Sequence, residues 1–447
     1  MRVIAVEDAS GARGYADAIF HPADETELAS ILAEASAKRI PVTAAGAQTG
    51  VAAGCVPEGG WLVSLSRMRR LSVEPSRATA GAGISLKDLQ AAALPTGQFY
   101  APDPTEYTAS VGGSIATNAS GSRSFRYGDT RRHVEALRVA FMDGSVEWIE
   151  RGRPVPFAVP DLPLPRTTKF SAGMPLKQGM EFVDLFIGSE GVLGVVTEAR
   201  LRLLPLPGEL LSGVVFFTSD DFAMNAVDAW RLLPGLRMLE YMDAGSLDML
   251  RPRFDAIPAA AQACLLIEDE LGGEGDLDSW VERLEHSGAL AEASWFGTEA
   301  ADRERFRVFR HALPEAVNEV VRQRGLTKAG TDFAVPLDQN RAMLSYYRQA
   351  LVGWPYVIFG HIGDAHVHVN LLPANPQDAQ RARELIVQMA QHAVSLGGTV
   401  AAEHGLGRRK AHLLSLQWNA EQLEGMRAVK RRLDPHWLLG RGVLFPA

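Results

Sequence analysis

The chain has 447 residues, 47% of them hydrophobic and 22% charged, with 45 basic against 53 acidic side chains for a net charge of −8. That length exceeds one ordinary hydrophobic core and implies two or three domains, while the acidic balance argues against nucleic acid as a partner. Two cysteines, Cys55 and Cys264, exclude a disulfide framework, a zinc ribbon and an iron–sulfur cluster, and make a reducing, cytoplasmic compartment the default. The opening residues lack a basic stretch followed by an apolar core, and no apolar run reaches the roughly 18 residues of a membrane helix. A signal segment and a membrane span are therefore not expected, and peripheral contact with a membrane is left open.

In chain order, HPADETELASILAEASAKRI (21–40) reads as an amphipathic helix with Leu28, Ile31, Leu32 and Ala35 on one face. Asp24 is its expected N-cap, with Glu27 completing a capping box. PVTAAG (41–46) follows as a short buried strand, and AAGAQTGVAAG (44–54) then spaces Gly46, Gly50 and Gly54 four residues apart. Such turns can aim successive N–H groups at an anion, but the spacing fits neither the Rossmann fingerprint nor the P-loop, and a surface turn reads equally well. Strand-and-turn patterns recur at WLVSLSRM (61–68), VEALRVAFMDGSV (134–146) and VLGVVTEARLRLLP (192–205). Among them, 101–129 is a long run of small residues that would let a flat ligand approach the backbone. DLFIGSEGVLG (184–194) sets Gly188, Ser189, Glu190, Gly191 and Gly194 between apolar runs.

After LLPLPG (203–208) the composition shifts to longer, more charged helical patterns, such as DLDSWVERLEHSG (276–288) and RAMLSYYRQALVG (341–353). Strand-like runs LSGVVFF (211–217), AQACLLIEDE (261–270) and YVIFG (356–360) lie around them, which predicts an α+β second domain. In GHIGDAHVHVN (360–370), strict alternation would put Asp364, His366 and His368 on one strand face, with Gly363 free to bend His361 round to it. Downstream, in GGTVAAEHGLGRRK (397–410), an apolar strand is expected to run into Glu403-His404. The pair reads either as an exposed loop or, if Glu403 meets His361 and His368, as part of a site for Zn²⁺, Mn²⁺ or Fe²⁺ with open positions. The tail EQLEGMRAVKRRLDPHWLL (421–439) is a helix stopped at Asp434-Pro435.

The glycine-rich stretches, in this order, resemble the FAD-linked oxidase superfamily of the vanillyl-alcohol oxidase/p-cresol methylhydroxylase fold. The two histidine-bearing segments resemble its D-2-hydroxyacid dehydrogenase branch, which contains D-lactate dehydrogenases, D-2-hydroxyglutarate dehydrogenases and glycolate oxidase flavin subunits. The resemblance implies an α+β fold with an FAD-binding domain over 1–207, a substrate or cap domain over 208–400 and a C-terminal segment, 401–447, closing on the flavin. It assigns the FAD pyrophosphate to Ala45, Gly46, Ala47, Gln48, Thr49 and Gly50, and further flavin contacts to Pro104, Gly112, Gly113, Ala116, Thr117, Gly121, Glu190, Gly191, Gly194 and Val195. No histidine lies in the first loop, so a non-covalent flavin is expected.

By the same resemblance His361, His368 and Glu403 hold a divalent metal, zinc or manganese, and His404 is the base. Asn370 is a polar substrate-site residue, and Arg310 is a carboxylate-binding arginine, with Arg305 or Arg307 as alternatives. Lys328 falls near the family's lysine position, but four residues before Asp332 rather than two. Other departures are Ala365 for glycine, His366 for asparagine, Pro314 for a hydroxyl residue, and Gly440-Arg441 for Asn-Pro. The implied reaction is FAD-dependent oxidation of a small D-2-hydroxyacid, with electrons passing to an electron-transfer flavoprotein, a quinone or a cytochrome; a homodimer is compatible with it. The alternatives are a flavin-dependent alkyl transferase of the same superfamily and a flavin-binding subunit active only within a larger complex.

Overall fold

The computed structural model describes residues 3–272 and 276–446; Met1 and Arg2, where the stretch read for a signal segment begins, lie outside it. Helix Glu25–Ala37 buries Leu28, Ile31, Leu32 and Ala35, the face its periodicity predicts, against Val42 and Val63. Asp24 caps it by accepting from the N–H groups of Thr26 and Glu27. The Glu27 carboxylate, however, reaches back to the Ala23 N–H rather than to that of Asp24, so the expected capping box closes one residue early. The helix covers a parallel sheet in which Trp61–Ser64 lies between Ala18–Phe20 and Val42–Ala45. An antiparallel sheet adjoins it, in the order Val146–Glu150, Val134–Ala140, Val195–Arg202, Arg77–Gly81 and Leu71–Glu74.

The second half is built on a seven-stranded antiparallel sheet ordered Trp295–Gly297, Leu210–Phe217, Ala263–Glu270, Leu236–Asp243, Tyr356–Gly360, His368–Leu371 and Ala329–Gly330. Strand alternation feeds two cores: Val215 and Phe217 join one cluster with Trp230 and Trp280, while Val214 and Phe216 join another with Phe309 and Leu313. Both faces are thus covered by helices, which is why these strands read as continuous apolar runs.

Two expectations for the histidine-bearing segments need correction. The strand Tyr356–Gly360 stops at Gly360 (φ +126°), a 3₁₀ turn spans Ile362–Asp364, and Ala365 is left-handed at φ +51° before His368–Leu371 pairs back antiparallel. Residues 360–370 are therefore a β-hairpin, and strand alternation never applies to Asp364 and His366. Gly363 does not supply the bend; it packs so closely that a Cβ would lie 2.9 Å from the Phe125 ring. Nor is 397–402 a regular strand. It is an extended segment held by one bridge from Thr399 to Ala334 and by the Ala402 N–H on the Asp332 carbonyl.

Candidate functional site

The two halves meet around one cavity of about 1630 Å³. That exceeds the roughly 300–1,000 Å³ of an ordinary small-molecule pocket and leaves room for a dinucleotide-sized cofactor beside a small substrate. Ala45 to Gly50 line it, as do Pro104, Gly112, Gly113, Ala116, Thr117, Glu190, Gly191, Gly194 and Val195. Gly121 does not line it. Its hydrogen replaces a Cβ that would sit 1.8 Å from the Asp103 carbonyl, and its own carbonyl accepts from Lys169.

The first loop fits a pyrophosphate. The N–H groups of Gly46, Gln48, Thr49 and Gly50 donate to no acceptor among the described residues, and Gln48 turns left-handed at φ +57°. Successive free N–H groups in such a turn form an anion-binding concavity. A side chain at Gly46 would displace the Ser110 hydroxyl, because a Cβ would lie 2.1 Å from its oxygen. Cys55 also lines the cavity, but burial pushes its thiol up to about 12, away from the reactive thiolate.

At the other end of the cavity a polar cluster centres on Glu403. Its Oε1 lies 3.2 Å from His361 Nε2, 3.4 Å from His368 Nε2 and 3.7 Å from His404 Nε2. Its Oε2 accepts from the Ser120 hydroxyl at 2.9 Å and lies 3.4 Å from Lys169 Nζ. Lys169, fully buried, also reaches Asp364 Oδ2 at 3.2 Å. His361 Nδ1 lies 2.6 Å from Glu240 Oε1, and Arg310 Nε donates to the other oxygen of Glu240 at 2.8 Å. His404 Nδ1 lies 3.5 Å from Asp332 Oδ1, whose partner oxygen accepts from the N–H groups of Ala402, Glu403 and His404.

The electrostatics follow from these contacts. Burial pushes Glu403 up, but His361 and Lys169 outweigh it and hold the carboxyl well below its usual range. Glu240 is likewise held ionised against burial by Arg310 and His361. Burial opposes a charge on His361, yet Glu240 and Glu403 raise it to about 9. Burial dominates at His404 and lowers it to about 4 despite Asp332 and Glu403, so its imidazole is neutral. In direct contact here are four carboxylates (Glu240, Glu403, Asp332 and Asp364) against two fixed cations, Lys169 and Arg310, and the protonated His361, which leaves an excess of one negative charge. His361, His368 and Glu403 therefore offer two nitrogens and an oxygen in an anionic setting, a donor set that fits a divalent cation, which would replace the His361 proton.

Residues 16–150 match the model of an FAD binding domain, and residues 207–444 match that of the FAD linked oxidases, C-terminal domain. The chain belongs to the FAD-linked oxidases. It is 30% identical over 436 residues to a D-lactate dehydrogenase of Archaeoglobus fulgidus, covering 95% of this chain and 90% of that protein. It is 29% identical over 445 residues to the glycolate oxidase subunit GlcD of Bacillus subtilis, covering 96% and 89%. It is 30% identical over 448 residues to a D-2-hydroxyglutarate dehydrogenase of Xanthomonas citri, again covering 96% and 89%. Among solved structures, an alkyldihydroxyacetonephosphate synthase superposes with a TM-score of 0.67 at 16% identity, covering 94% of this chain and 75% of that one; this likeness shows the shared fold. The p-cresol methylhydroxylase-type flavin domain joined to an oxidase C-terminal domain is thus established, and it places the protein among FAD-linked oxidoreductases.

In this FAD-linked oxidase the residues singled out from sequence converge as follows. Glu403 and His404 are not an exposed loop: they dock on the flavin half, because Glu190 accepts from the N–H groups of Leu406 (2.8 Å) and Gly407 (2.6 Å). Of the three candidate arginines, Arg310 turns inward, whereas Arg305 and Arg307 pair with acidic residues on the exposed helix surface. Asn370 and Lys328 both line the cavity, and burial together with Lys410 draws the Lys328 ammonium down to about 8. Lys169, Glu240 and Asp332 were not read from sequence as site residues. Glu240 leaves a signal, a carboxylate inside the apolar run LRMLEYMD, and Asp332 enters the sequence reading only as the position that locates Lys328; nothing local marks Lys169.

Proposed function

We propose that this chain oxidises a D-2-hydroxyacid of the lactate, 2-hydroxyglutarate or glycolate type to the 2-oxoacid. FAD is held non-covalently, and a divalent cation, zinc or manganese, is held by His361, His368 and Glu403. The observation that carries the reading is that a neutral imidazole, His404, shares one cavity with these three donors and with the flavin loops. When bound, FAD supplies the two-electron acceptor that side chains lack, and the cation supplies Lewis acidity toward the substrate oxygens.

The chain's own residues do the rest. His404 takes the hydroxyl proton at Nε2, the nitrogen turned away from Asp332, and Asp332 fixes the ring from behind. Arg310, oriented by Glu240 and by Thr105, keeps unused guanidinium N–H donors for the substrate carboxylate. Asn370 and Lys328 add a polar contact and a second cation to the same wall. The two electrons then leave to an electron-transfer flavoprotein, a quinone or a cytochrome.

Anaerobic mixing of the purified yellow protein with D-lactate, D-2-hydroxyglutarate, glycolate and the L-enantiomers tests this. The flavin absorbance should bleach with a D-acid or glycolate and not with the L-acids. A flavin that dithionite reduces but no hydroxyacid does would overturn the reading and favour the transferase alternative. Turnover by the purified chain with an artificial acceptor separates it from a subunit that works only inside a complex.

A further inference from the structure

His366 stands where the family resemblance leads one to expect asparagine, and neither the flavin loops nor the substrate wall uses it. It is completely buried, and neither ring nitrogen makes a hydrogen bond among the described residues. Its Nε2 lies 3.2 Å from Asp332 Oδ1, but without the alignment of a hydrogen bond, and that oxygen is itself unsatisfied. A neutral imidazole always carries one donor and one acceptor. Leaving such groups buried without a hydrogen bond is costly, so an imidazole with none at either ring nitrogen needs a physical reason.

The surroundings supply one. One donor atom from each of His361, His366, His368 and Glu403 lies within 4.8 Å of all the others. The His366 ring centroid is 4.6 Å from that of His368 and 5.3 Å from that of His361. The hairpin loop is shaped to hold it there: Ala365 takes a left-handed conformation, and the His366 N–H donates to the His361 carbonyl at 3.2 Å.

We propose that His366 is a fourth ligand of the divalent cation, making the donor set three imidazoles and one carboxylate. This rests on the cation reading given above and adds to it a residue at which the chain departs from the family's usual pattern. Three imidazoles shift the preference from manganese toward zinc, because nitrogen donors suit zinc whereas manganese favours oxygen. Asp332 then stands behind two imidazoles, His366 and His404, as a carboxylate support.

The test is to strip the flavin-loaded protein with a chelator, reload it with Zn²⁺ alone, and count bound imidazoles by zinc X-ray absorption spectroscopy. Three are expected in the wild type and two in His366→Asn, with Zn²⁺ affinity in the variant weaker by about 10-fold or more at unchanged flavin content. A wild-type site that holds Zn²⁺ with only two imidazoles overturns the assignment of His366 and leaves a divalent-cation site, held by His361, His368 and Glu403 or by the rival grouping of Asp332, His368 and His404. A wild type that binds no Zn²⁺ overturns both. Because the wild-type count decides alone, a variant that fails to fold does not blunt the test.

Discussion

Glu403 carries an unusual load for one side chain: three imidazoles share one of its oxygens, and a hydroxyl and a buried ammonium hold the other. That arrangement fixes the carboxylate as an acceptor and leaves His404 as the imidazole at the cavity edge, half-buried and neutral. Neutrality is what a base needs, since a ring already protonated can take nothing from the substrate. His404→Ala should therefore lower kcat by about 10²-fold or more while flavin content and the visible spectrum stay the same. Stopped-flow measurement of flavin reduction reads the effect directly, and an unchanged rate would move the base elsewhere. Asp332 should matter through His404 rather than through the substrate, because it lies behind the ring and does not line the cavity.

Strands and helices bring their own titrating groups. Asp243 ends the strand Leu236–Asp243 and caps the helix Ala244–Leu250, accepting from the Ser246 N–H at 2.9 Å and its hydroxyl at 2.6 Å. Burial pushes its carboxyl up to about 6 from an ordinary 3.8, against the Ser246 hydrogen bonds that draw it down. A folded pKa above the unfolded one means that this group's contribution is complete below pH 3.8 and is lost as pH rises through 6. Chemical denaturation of the wild type should thus show stability falling by about 3 kcal/mol between pH 4 and pH 8 from this source. Asp243→Asn keeps a good N-cap and should flatten that slope; an unaltered slope would assign it to other groups. The elements themselves were largely legible. The helix face at Leu28, Ile31, Leu32 and Ala35 follows from periodicity, and the strands around Cys264 from apolar runs. The cluster was legible only where its residues came in adjacent pairs or triplets, as with His361, His366 and His368. Lys169 and Asp332 reach the cluster from irregular segments far away in the chain, so no local pattern in the sequence registers them, whereas Glu240 is marked only as a carboxylate inside an apolar strand. Alternation could not place the turn of the hairpin at 360–370, because it cannot see a left-handed alanine.

At the scale of the whole molecule, the site exists only because the C-terminal segment returns to the flavin half. Val42 donates to the Leu438 carbonyl and accepts from Gly440, which adds the tail to the edge of the parallel sheet. Arg408 and Arg409 both donate to the Ala52 carbonyl just beyond the first flavin loop. Lys430, on the helix Ala420–Leu433, is the buried knot of this closure. Its ammonium donates to the Val192 carbonyl (2.7 Å) in the GSEGVLG segment, to the Leu439 carbonyl (2.7 Å) and to Asp434 Oδ2 (2.5 Å). Asp434 is equally buried and also accepts from the Leu439 N–H at 2.8 Å. Removing the lysine leaves that carboxylate and two carbonyls without their shared donor, and breaking a buried pair from one side destabilises by about 3–5 kcal/mol. Lys430→Met should accordingly lower the unfolding midpoint in urea and release FAD at lower denaturant, read by the rise of free-flavin fluorescence. Adding Asp434→Asn removes the stranded charge and should recover part of the loss. If the single variant unfolds and releases flavin together with the wild type, the closure is held by its apolar packing alone, and Lys430 contributes nothing to keeping Glu403 and His404 against the flavin loops.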